Sequence, residues 1–359
     1  MHDKVTIKDI ARNTGTSVAS VHRALHGTGG VSAELRRKIL EDAKRNNYQL
    51  DEQASLLRRD PINLTVLLPK AVGNERFYYR GLWQGIYRGI EDLKKMKVNV
   101  RCVETKFGVN ELSSALEHLY DASYCDKEKI DGLVTICDDE QSRSWIQRFM
   151  RRGTKVALVD RGIPFANIVC SVAVSVADMA LVAMDLMDLY YDRNEANPIL
   201  LVNGPIARTS YQAYSRVVKD AANRMGVPIP ILEINTEGEE RTRNQVAQLL
   251  RTQPLGGIIA ASARSTYWVC DEVEKAVMPS EEPLPVIGTD VFEEQESFFK
   301  SGILRAAICQ SHYTFGHRAL QYLFNNLIDP SVAQEVQILE PISIVMRHNF
   351  KYFIRTSSM

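Results

Sequence analysis

The chain has 359 residues, of which 45% are hydrophobic and 25% charged, and its formal net charge is zero. A chain of this length buries a sizeable core and divides into two or three domains. No apolar run approaches the ~20 residues needed to cross a bilayer, and the polar N-terminus lacks the hydrophobic region of a signal peptide. These features exclude a membrane-spanning protein and predict a cytoplasmic one with no membrane partner.

The sequence offers little for catalysis or metal binding. Its six cysteines lie far apart, with no C-x-x-C pair and no histidine at metal-ligand spacing, which predicts reduced thiols and no metal. Walker loops, G-x-G-x-x-G after the first predicted strand, G-x-S-x-G and H-E-x-x-H are all missing. His312 and His317 are five residues apart beside a tyrosine and suit structural positions. We therefore predict no enzyme activity and no cofactor.

The N-terminal segment predicts three short helices. Thr6 and Asp9 have the spacing of a capping box, so the first helix starts at about Thr6 and ends before Gly15. Ser17 and Ser32 are in position to cap the second and third helices. The apolar spacing predicts that the following residues pack together: Ile7, Ile10, Ala11, Val21, Ala24 or Leu25, Leu35, Ile39 and Ala43.

The tight turn between the first two helices has the length found in helix-turn-helix motifs. Packing leaves Val18, Ala19 and Arg23 free on the second helix, where arginine suits guanine and the apolar side chains suit thymine methyls. Side chains expected at phosphates are Thr6, Ser17, Ser20, His22, His26 and Ser32. The alternative is a small helical bundle with solvated basic faces, since 11 basic and 8 acidic residues in the first 60 give only a mild positive charge.

A family resemblance begins in this segment. The stretches VTIKDIARNTGTSVASVHRALHGTGGVS and ILEDAKRNNYQLDEQASLLRR resemble the N-terminal region of the lactose- and galactose-repressor (LacI/GalR) family of bacterial transcription regulators. The matching parts are 5–11, the turn 15–17, and 21–23, with His22 where the family usually has serine. The resemblance implies that Val18, Ala19 and Arg23 face bases.

Residues 48–61, YQLDEQASLLRRDP, resemble the hinge of that family. The resemblance implies a short helix that folds on operator DNA, with Ala54 and Leu57 at the minor groove and Leu57 wedged between base pairs. Leu50, Asp51 and Ser55 replace the family's usual proline, asparagine and arginine. The alternative reading of this segment is a plain amphipathic linker.

From Ile62 onward, apolar strands alternate with amphipathic helices, and the alternation restarts after the loop RGIPFANIV. The predicted fold class is an all-α helix-turn-helix domain followed by a two-lobed α/β domain of the periplasmic-binding-protein type, built on two doubly wound parallel sheets. The predicted ranges are 1–49 for the headpiece, 50–61 for the hinge, 62–350 for the two-lobed domain and 351–359 for a tail. Its N-lobe takes about 62–165 and 303–328, and its C-lobe about 166–302 and 329–350.

Ligands of parallel sheets bind beyond the carboxyl ends of the strands, and in two facing lobes these ends meet at a cleft. Aromatic rings there suit the C–H faces of sugars, and planar polar groups suit their hydroxyls. The effector-binding candidates are Phe77, Tyr78, Tyr79, Trp83, Asp160, Arg161, Gln212, Arg216, Ser262, Arg264, Asp290 and Gln310. The resemblance supports Asp160, Asp290 and Gln310 in particular, because effector pockets of that family have polar residues at the matching positions.

Together these features predict a transcription regulator, expected to be a repressor, that binds a palindromic operator as a homodimer under the control of a small effector, a sugar, polyol or related molecule. Gln212, Ser262 and the segment SVAVSVADMALV depart from the usual residues of the family's pocket. Two alternatives therefore stay open: an effector-independent regulator with a degenerate pocket, and a solute-binding protein of the same fold.

Overall fold

The computed structural model describes residues 5–25, 30–46, 48, 60–105, 111–125, 128–137, 139–159, 167–224, 229–276, 282–330 and 337–354. The chain forms two compact units, Met1–Asp60 and Pro61–Met359. Five predicted site residues lie outside the described residues: His26, Ala54, Leu57, Asp160 and Arg161. Within the described ranges, no helix is both long and apolar enough to cross a membrane.

The first unit contains the three predicted helices, α1 (Ile7–Thr14), α2 (Val18–Leu25) and α3 (Ala33–Arg45). The Asp9 carboxylate accepts hydrogen bonds from the Thr6 backbone N–H at 2.9 Å and from its hydroxyl at 2.6 Å. These bonds lower the pKa of Asp9. Ser17 and Ser32 accept the backbone N–H groups of Ser20 and Leu35, at 3.1 and 3.3 Å. Each helix therefore starts where its cap predicts.

Six apolar side chains form the core of this unit, which are Ile10, Ala11, Val21, Ala24, Ile39 and Ala43. They come from all three helices, and Ile7, Leu25 and Leu35 pack around them. Because one apolar stripe of α2 is buried in this way, the opposite stripe of α2 faces solvent.

The second unit alternates strands and helices from Ile62 to Ile354. Its strands are β1 (Ile62–Pro69), β2 (Val98–Thr105), β3 (Gly132–Thr135), β4 (Lys155–Val159), β5 (Cys170–Ala173), β6 (Ile199–Asn203), β7 (Ile231–Asn235), β8 (Gly257–Ala260), β9 (Val286–Thr289), β10 (Leu304–Cys309), β11 (Gln337–Leu339) and β12 (Ser343–Val345). Its α-helices are α4 (Arg76–Leu93), α5 (Leu112–Cys125), α6 (Glu140–Arg151), α7 (Val176–Asp188), α8 (Thr209–Arg224), α9 (Glu239–Thr252), α10 (Ala263–Ala276), α11 (Glu296–Ser301), α12 (His312–Ile328) and α13 (Phe350–Ile354).

Among the described residues, the strands form two six-stranded sheets, in the orders β11-β5-β4-β3-β1-β2 and β12-β10-β9-β8-β6-β7. Neighbouring strands are parallel in both sheets, except that β12 runs antiparallel to β10. We call the first sheet with its helices the first lobe and the second sheet with its helices the second lobe. This architecture confirms the predicted two-lobed α/β class.

Three strands lie in the lobe opposite to the one that the predicted ranges give them. β5 and β11 pair with each other at the edge of the first sheet, and β10 pairs with β9 in the second. The chain therefore crosses between the lobes after β5, after β10 and after β11. β5 and β11 have only four and three residues, too few for a hydrophobic period to reveal them.

Two glycines allow α4 and α12 to touch in the first lobe. A Cβ added to Gly85 would lie 2.0 Å from the carbonyl oxygen of Tyr313, and one added to Gly316 would lie 2.3 Å from that of Leu82. Because backbone atoms block both positions, any larger side chain would push the helices apart.

We expect Gly316→Ala to lower the free energy of unfolding by about 1–3 kcal/mol, because overpacking against backbone outweighs the better helix propensity of alanine. Urea denaturation measures the change. Asn325→Ala, at an exposed position of the same helix, is the control and should stay within about 0.5 kcal/mol of the wild type. An unchanged urea midpoint for Gly316→Ala would contradict the close helix contact.

Candidate functional site

The second helix of the first unit carries the predicted base-reading side chains on its solvent face. Val18, Ala19 and Arg23 are exposed, and Val18 keeps 43% of its surface open although it is apolar. Among the described residues, the Arg23 guanidinium makes one hydrogen bond, a long one of 3.4 Å to the carbonyl of Gly30. These three side chains are therefore available to enter a groove of DNA.

The side chains predicted to contact phosphates differ in whether their hydroxyl proton is still available for a hydrogen bond. The Thr6 hydroxyl donates to Asp9, so its proton is already used. The Ser32 oxygen accepts a backbone N–H and keeps its proton, whereas the Ser17 hydroxyl lies 2.9 Å from that of Ser20 and shares a hydrogen bond with it. Ser32 and His22 are exposed. Among these hydroxyls, Ser32 is the best placed donor to a phosphate.

In the second unit, a cavity of about 80 Å³ opens between the lobes at the carboxyl ends of the strands. Predicted residues that line it are Phe77, Tyr78, Tyr79, Ser262, Arg264, Asp290 and Gln310. Its space suits several water molecules or a small ligand. Among the residues that the structure describes, no three His, Cys, Asp or Glu side chains are grouped to hold a metal ion.

Asp290 is the charged centre of the cavity wall. It is 4% exposed and holds a left-handed backbone with φ of 60°, which is rare for a residue with a side chain. Its carboxylate accepts the backbone N–H of Gln310 at 3.1 Å and lies 3.3 Å from the Gln310 side-chain nitrogen. The His312 Nε2 is 3.7 Å from the same carboxylate. A buried carboxylate with these neighbours presents acceptor positions to a ligand that donates hydrogen bonds.

A short segment of the first lobe, Asn74–Phe77, reaches across the cavity mouth, and we call it the clasp. Asn74 donates to Glu239 at 2.9 Å, Glu75 accepts from Arg264 at 3.0 Å, and Arg76 donates to Glu294 at 2.8 Å. The Phe77 ring stacks on Phe292 with 3.8 Å between ring centres. Four consecutive residues thus join the first lobe to the second.

The Arg76–Glu294 pair of the clasp is partly desolvated. Burial raises the pKa of Glu294, but the hydrogen bond and charge of Arg76 outweigh burial and leave that pKa lowered. Glu294 is therefore an anion at neutral pH, and the pair is charged.

Three predicted pocket residues lie elsewhere. Trp83 is 4% exposed and donates its indole N–H to the carbonyl of Pro69, so it belongs to the core. Gln212 donates to the carbonyl of Ile206, and Arg216 is exposed; neither lines the cavity. Gln212 is held by the loop after β6, and Arg216 lies one turn further along α8, away from the strand ends.

The cavity also has lining residues that sequence reasoning missed, which are Asn74, Glu75, Cys137, Arg208, Thr209, Ser210, Tyr211, Ala261, Ala263 and Thr289. Residues 208–211 directly follow the loop after β6. The rule that loops at carboxyl ends build the site applies to them as much as to Gln212. The sequence alone does not show which residues after β6 reach the cavity, and therefore could not distinguish residues 208–211 from Gln212.

Comparisons with known proteins agree with both units. The family described as "Bacterial regulatory proteins, lacI family" matches residues 6–50, and the "Periplasmic binding protein domain" family matches residues 66–329. Among curated proteins, the ribose operon repressors of Bacillus subtilis and Escherichia coli are each 23% identical, over 95% and 94% of this chain and 97% of their own lengths.

Solved structures share the fold. The lac repressor dimer bound to operator and an anti-inducer covers 96% of this chain and 98% of its own, with a TM-score of 0.60 and 19% identity. AraP, an arabinose binding protein from Geobacillus stearothermophilus, covers 82% of this chain and 99% of its own, with a TM-score of 0.64 and 16% identity.

The family matches extend over both units, and the repressor relatives span nearly the whole chain. The chain belongs to the lacI family of bacterial regulatory proteins, and it is a DNA-binding transcription regulator with a periplasmic-binding-protein-like domain.

Proposed function

We propose that this regulator is a cytoplasmic repressor that binds a palindromic operator as a homodimer and releases or tightens it when a small sugar or polyol enters the cleft. The observation that carries the effector proposal is the cavity between the lobes, which is lined by Asp290, Gln310 and aromatic residues. The names of the relatives, which are ribose operon repressors, support a sugar as the ligand class.

The chemistry of the cavity fits hydroxyl groups. Asp290 accepts hydrogen bonds from vicinal hydroxyls, and Gln310 both donates and accepts. Tyr78 supplies an aromatic ring for the C–H surface of a sugar ring, whereas the Phe77 ring is covered by Phe292 and by the Arg76 guanidinium. Arg264 is already paired with Glu75 at 3.0 Å, so an acidic ligand would have to compete with Glu75 for its guanidinium. Asp160 and Arg161, predicted as further contacts, remain part of the proposal.

On the DNA, each headpiece would read a half-site in the major groove with Val18, Ala19 and Arg23, while Ser17, Ser20, His22, His26 and Ser32 fix its register on phosphates. The predicted phosphate contact of Thr6 is left out, because its hydroxyl already donates to Asp9. Ala54 and Leu57 would enter the minor groove at the operator centre. The effector acts by binding more tightly to one arrangement of the lobes, which shifts the population between a DNA-binding and a releasing state.

A second candidate, an effector-independent regulator, is favoured by the clasp. Its four contacts join the lobes with no ligand needed to bridge them. If they keep the cleft closed at all times, ligand binding has no equilibrium left to shift.

Thermal unfolding against a panel of sugars, polyols, sugar acids, sugar phosphates and nucleosides tests the effector proposal, because a ligand of the folded state raises the midpoint. We expect a neutral sugar or polyol to raise it.

We expect Asp290→Asn to weaken the affinity for that ligand by about 10–100-fold, since a hydrogen bond to a charged group contributes roughly 1.5–3 kcal/mol. Asparagine tolerates the left-handed backbone, which makes it a conservative change. Operator binding without ligand should stay unchanged, and a flat panel would favour the effector-independent regulator.

We expect Arg23→Ala to weaken binding to an operator selected from random duplexes by about 1–3 kcal/mol, because a bidentate contact to guanine is lost. Fluorescence anisotropy on the selected operator and on a scrambled duplex measures the two affinities. Arg12→Ala on α1, also at an exposed arginine, is the control. Equal losses on both duplexes would make Arg23 a phosphate contact.

The clasp makes a separate prediction. Arg76→Glu should repel Glu294 and open the cleft, raising the radius of gyration in X-ray scattering without ligand. The charge swap, Arg76→Glu with Glu294→Arg, should restore the wild-type value, because the pair is remade with opposite polarity. If both variants scatter like the wild type, the Arg76–Glu294 pair does not control closure.

A further inference from the structure

The first lobe carries a concentrated positive segment that its cleft does not use. From Gln141 to Val159 the chain has Arg143, Arg148, Arg151, Arg152 and Lys155 but no acidic residue. The rest of residues 61–359 carries 28 basic and 36 acidic side chains. A cationic surface thus stands out on a body that is otherwise acidic.

Two of these cations, Arg148 and Arg152, stack on aromatic rings of α5 and α6. The Arg148 guanidinium lies 4.1 Å above the Trp145 ring, and that of Arg152 lies 4.9 Å from the Tyr120 ring centre and 5.3 Å from that of Tyr124. Tyr124 is 69% exposed. Stacking restricts the guanidinium groups before any ligand binds, so less side-chain entropy is lost on binding.

The positive charges have little internal compensation. Arg143 pairs with Glu140 at 3.2 Å. Arg148, Arg151, Arg152 and Lys155 form no ion pair with a carboxylate in the part of the chain that the structure describes. They are all exposed, and unpaired surface cations attract phosphates at little desolvation cost.

The position of this surface in the sheet indicates its ligand. The C-terminus of α6 and the start of β4 lie at the amino edge of the first sheet, opposite to the cleft. Lys155 is in register with Gly132, and Gly132 with Leu64 of β1, so Lys155 lies two strands, or about 10 Å, from β1. The chain enters this lobe at the same edge, at Ile62, after a tether from Tyr48 to Asp60 that spans at most about 40 Å.

We propose that the amino-edge patch, consisting of Arg148, Arg151, Arg152 and Lys155 with Tyr124, binds the phosphate backbone of DNA that flanks the operator. Because the chain joins the DNA-binding first unit to the second unit at Ile62, operator DNA is the polyanion that we expect to come within reach of this edge. Arginines supply charge and paired N–H donors to phosphates without reading bases, so the contact is independent of sequence. The inference rests on DNA binding by the first unit and adds a second site to it.

Helix C-termini attract cations through the helix dipole alone, and the second lobe provides a matched comparison. Arg224 and Arg251 are exposed near the C-termini of α8 and α9. Like Arg151 and Arg152 they are exposed cations near helix C-termini, but they lie in the other lobe. Arg151→Gln/Arg152→Gln and Arg224→Gln/Arg251→Gln therefore remove the same charge from equivalent helix positions.

The test uses the full-length protein and an operator selected from random duplexes, alone and extended on each side by about 15 base pairs, roughly one and a half turns. Affinity is measured against salt concentration. Each lost phosphate contact lowers the slope of log affinity against log salt by about 0.9. We expect Arg151→Gln/Arg152→Gln to lower the slope by about 1–2 on the extended duplex, to remove the affinity gained by extension, and to leave the minimal operator unchanged.

The control pair, Arg224→Gln/Arg251→Gln, should keep the wild-type slope on both duplexes. Equal losses for the two pairs would mean that only net charge matters, and would overturn the proposal. So would a wild-type slope for Arg151→Gln/Arg152→Gln. If that variant keeps the wild-type DNA slope but loses retention on immobilised polyglutamate, the patch serves an acidic protein segment instead of DNA. Thermal midpoints of both pairs confirm that each variant is folded.

Discussion

Parallel strand pairing is the constraint on which the rest of the second unit depends. Because β1 to β5 and β6 to β10 pair in parallel, each connection returns over a face of its sheet, and all carboxyl ends gather at one edge. The loops at that edge are not packed in the core, and their residues line the cavity. The opposite edge is shaped by helix C-termini, where cations are favoured. One topological rule thus separates an edge suited to a small polar ligand from an edge suited to a polyanion.

The cavity and the clasp draw on the same residues, and this limits how the lobes respond. Glu75 and Phe77 line the cavity and also bind the second lobe. A ligand that competes for Arg264 or displaces the Phe77 ring breaks a contact between the lobes and must replace it. A ligand that binds in the cavity without disturbing these two residues adds its own contacts to those of the clasp. The effect of a ligand on closure therefore depends on whether it reaches Asp290 without disturbing Glu75.

The sequence predicted the elements whose signals are local. Caps at Thr6, Ser17 and Ser32 and apolar stripes defined the first unit, and long apolar strands defined the alternating α/β pattern. It could not sort β5, β10 and β11 into lobes, because pairing between distant segments leaves no periodic trace in strands of three to six residues. In the cleft, strand-end residues such as Asp290 and Gln310 were predictable from position. Trp83 was misplaced because an indole that meets a carbonyl, here that of Pro69, is stable inside a core.

The two last strands of the chain have a consequence for synthesis on the ribosome. β11 completes the first sheet and β12 lies at the edge of the second, although they are separated by only residues 340–342. During translation, which proceeds at about 5–20 residues per second, both sheets must wait for the same stretch of chain. Until residues 337–345 emerge, β5 and β10 each present an unpaired edge, a template for pairing with another nascent chain. Completion of the two lobes is therefore a single event, tied to the emergence of residues 337–345.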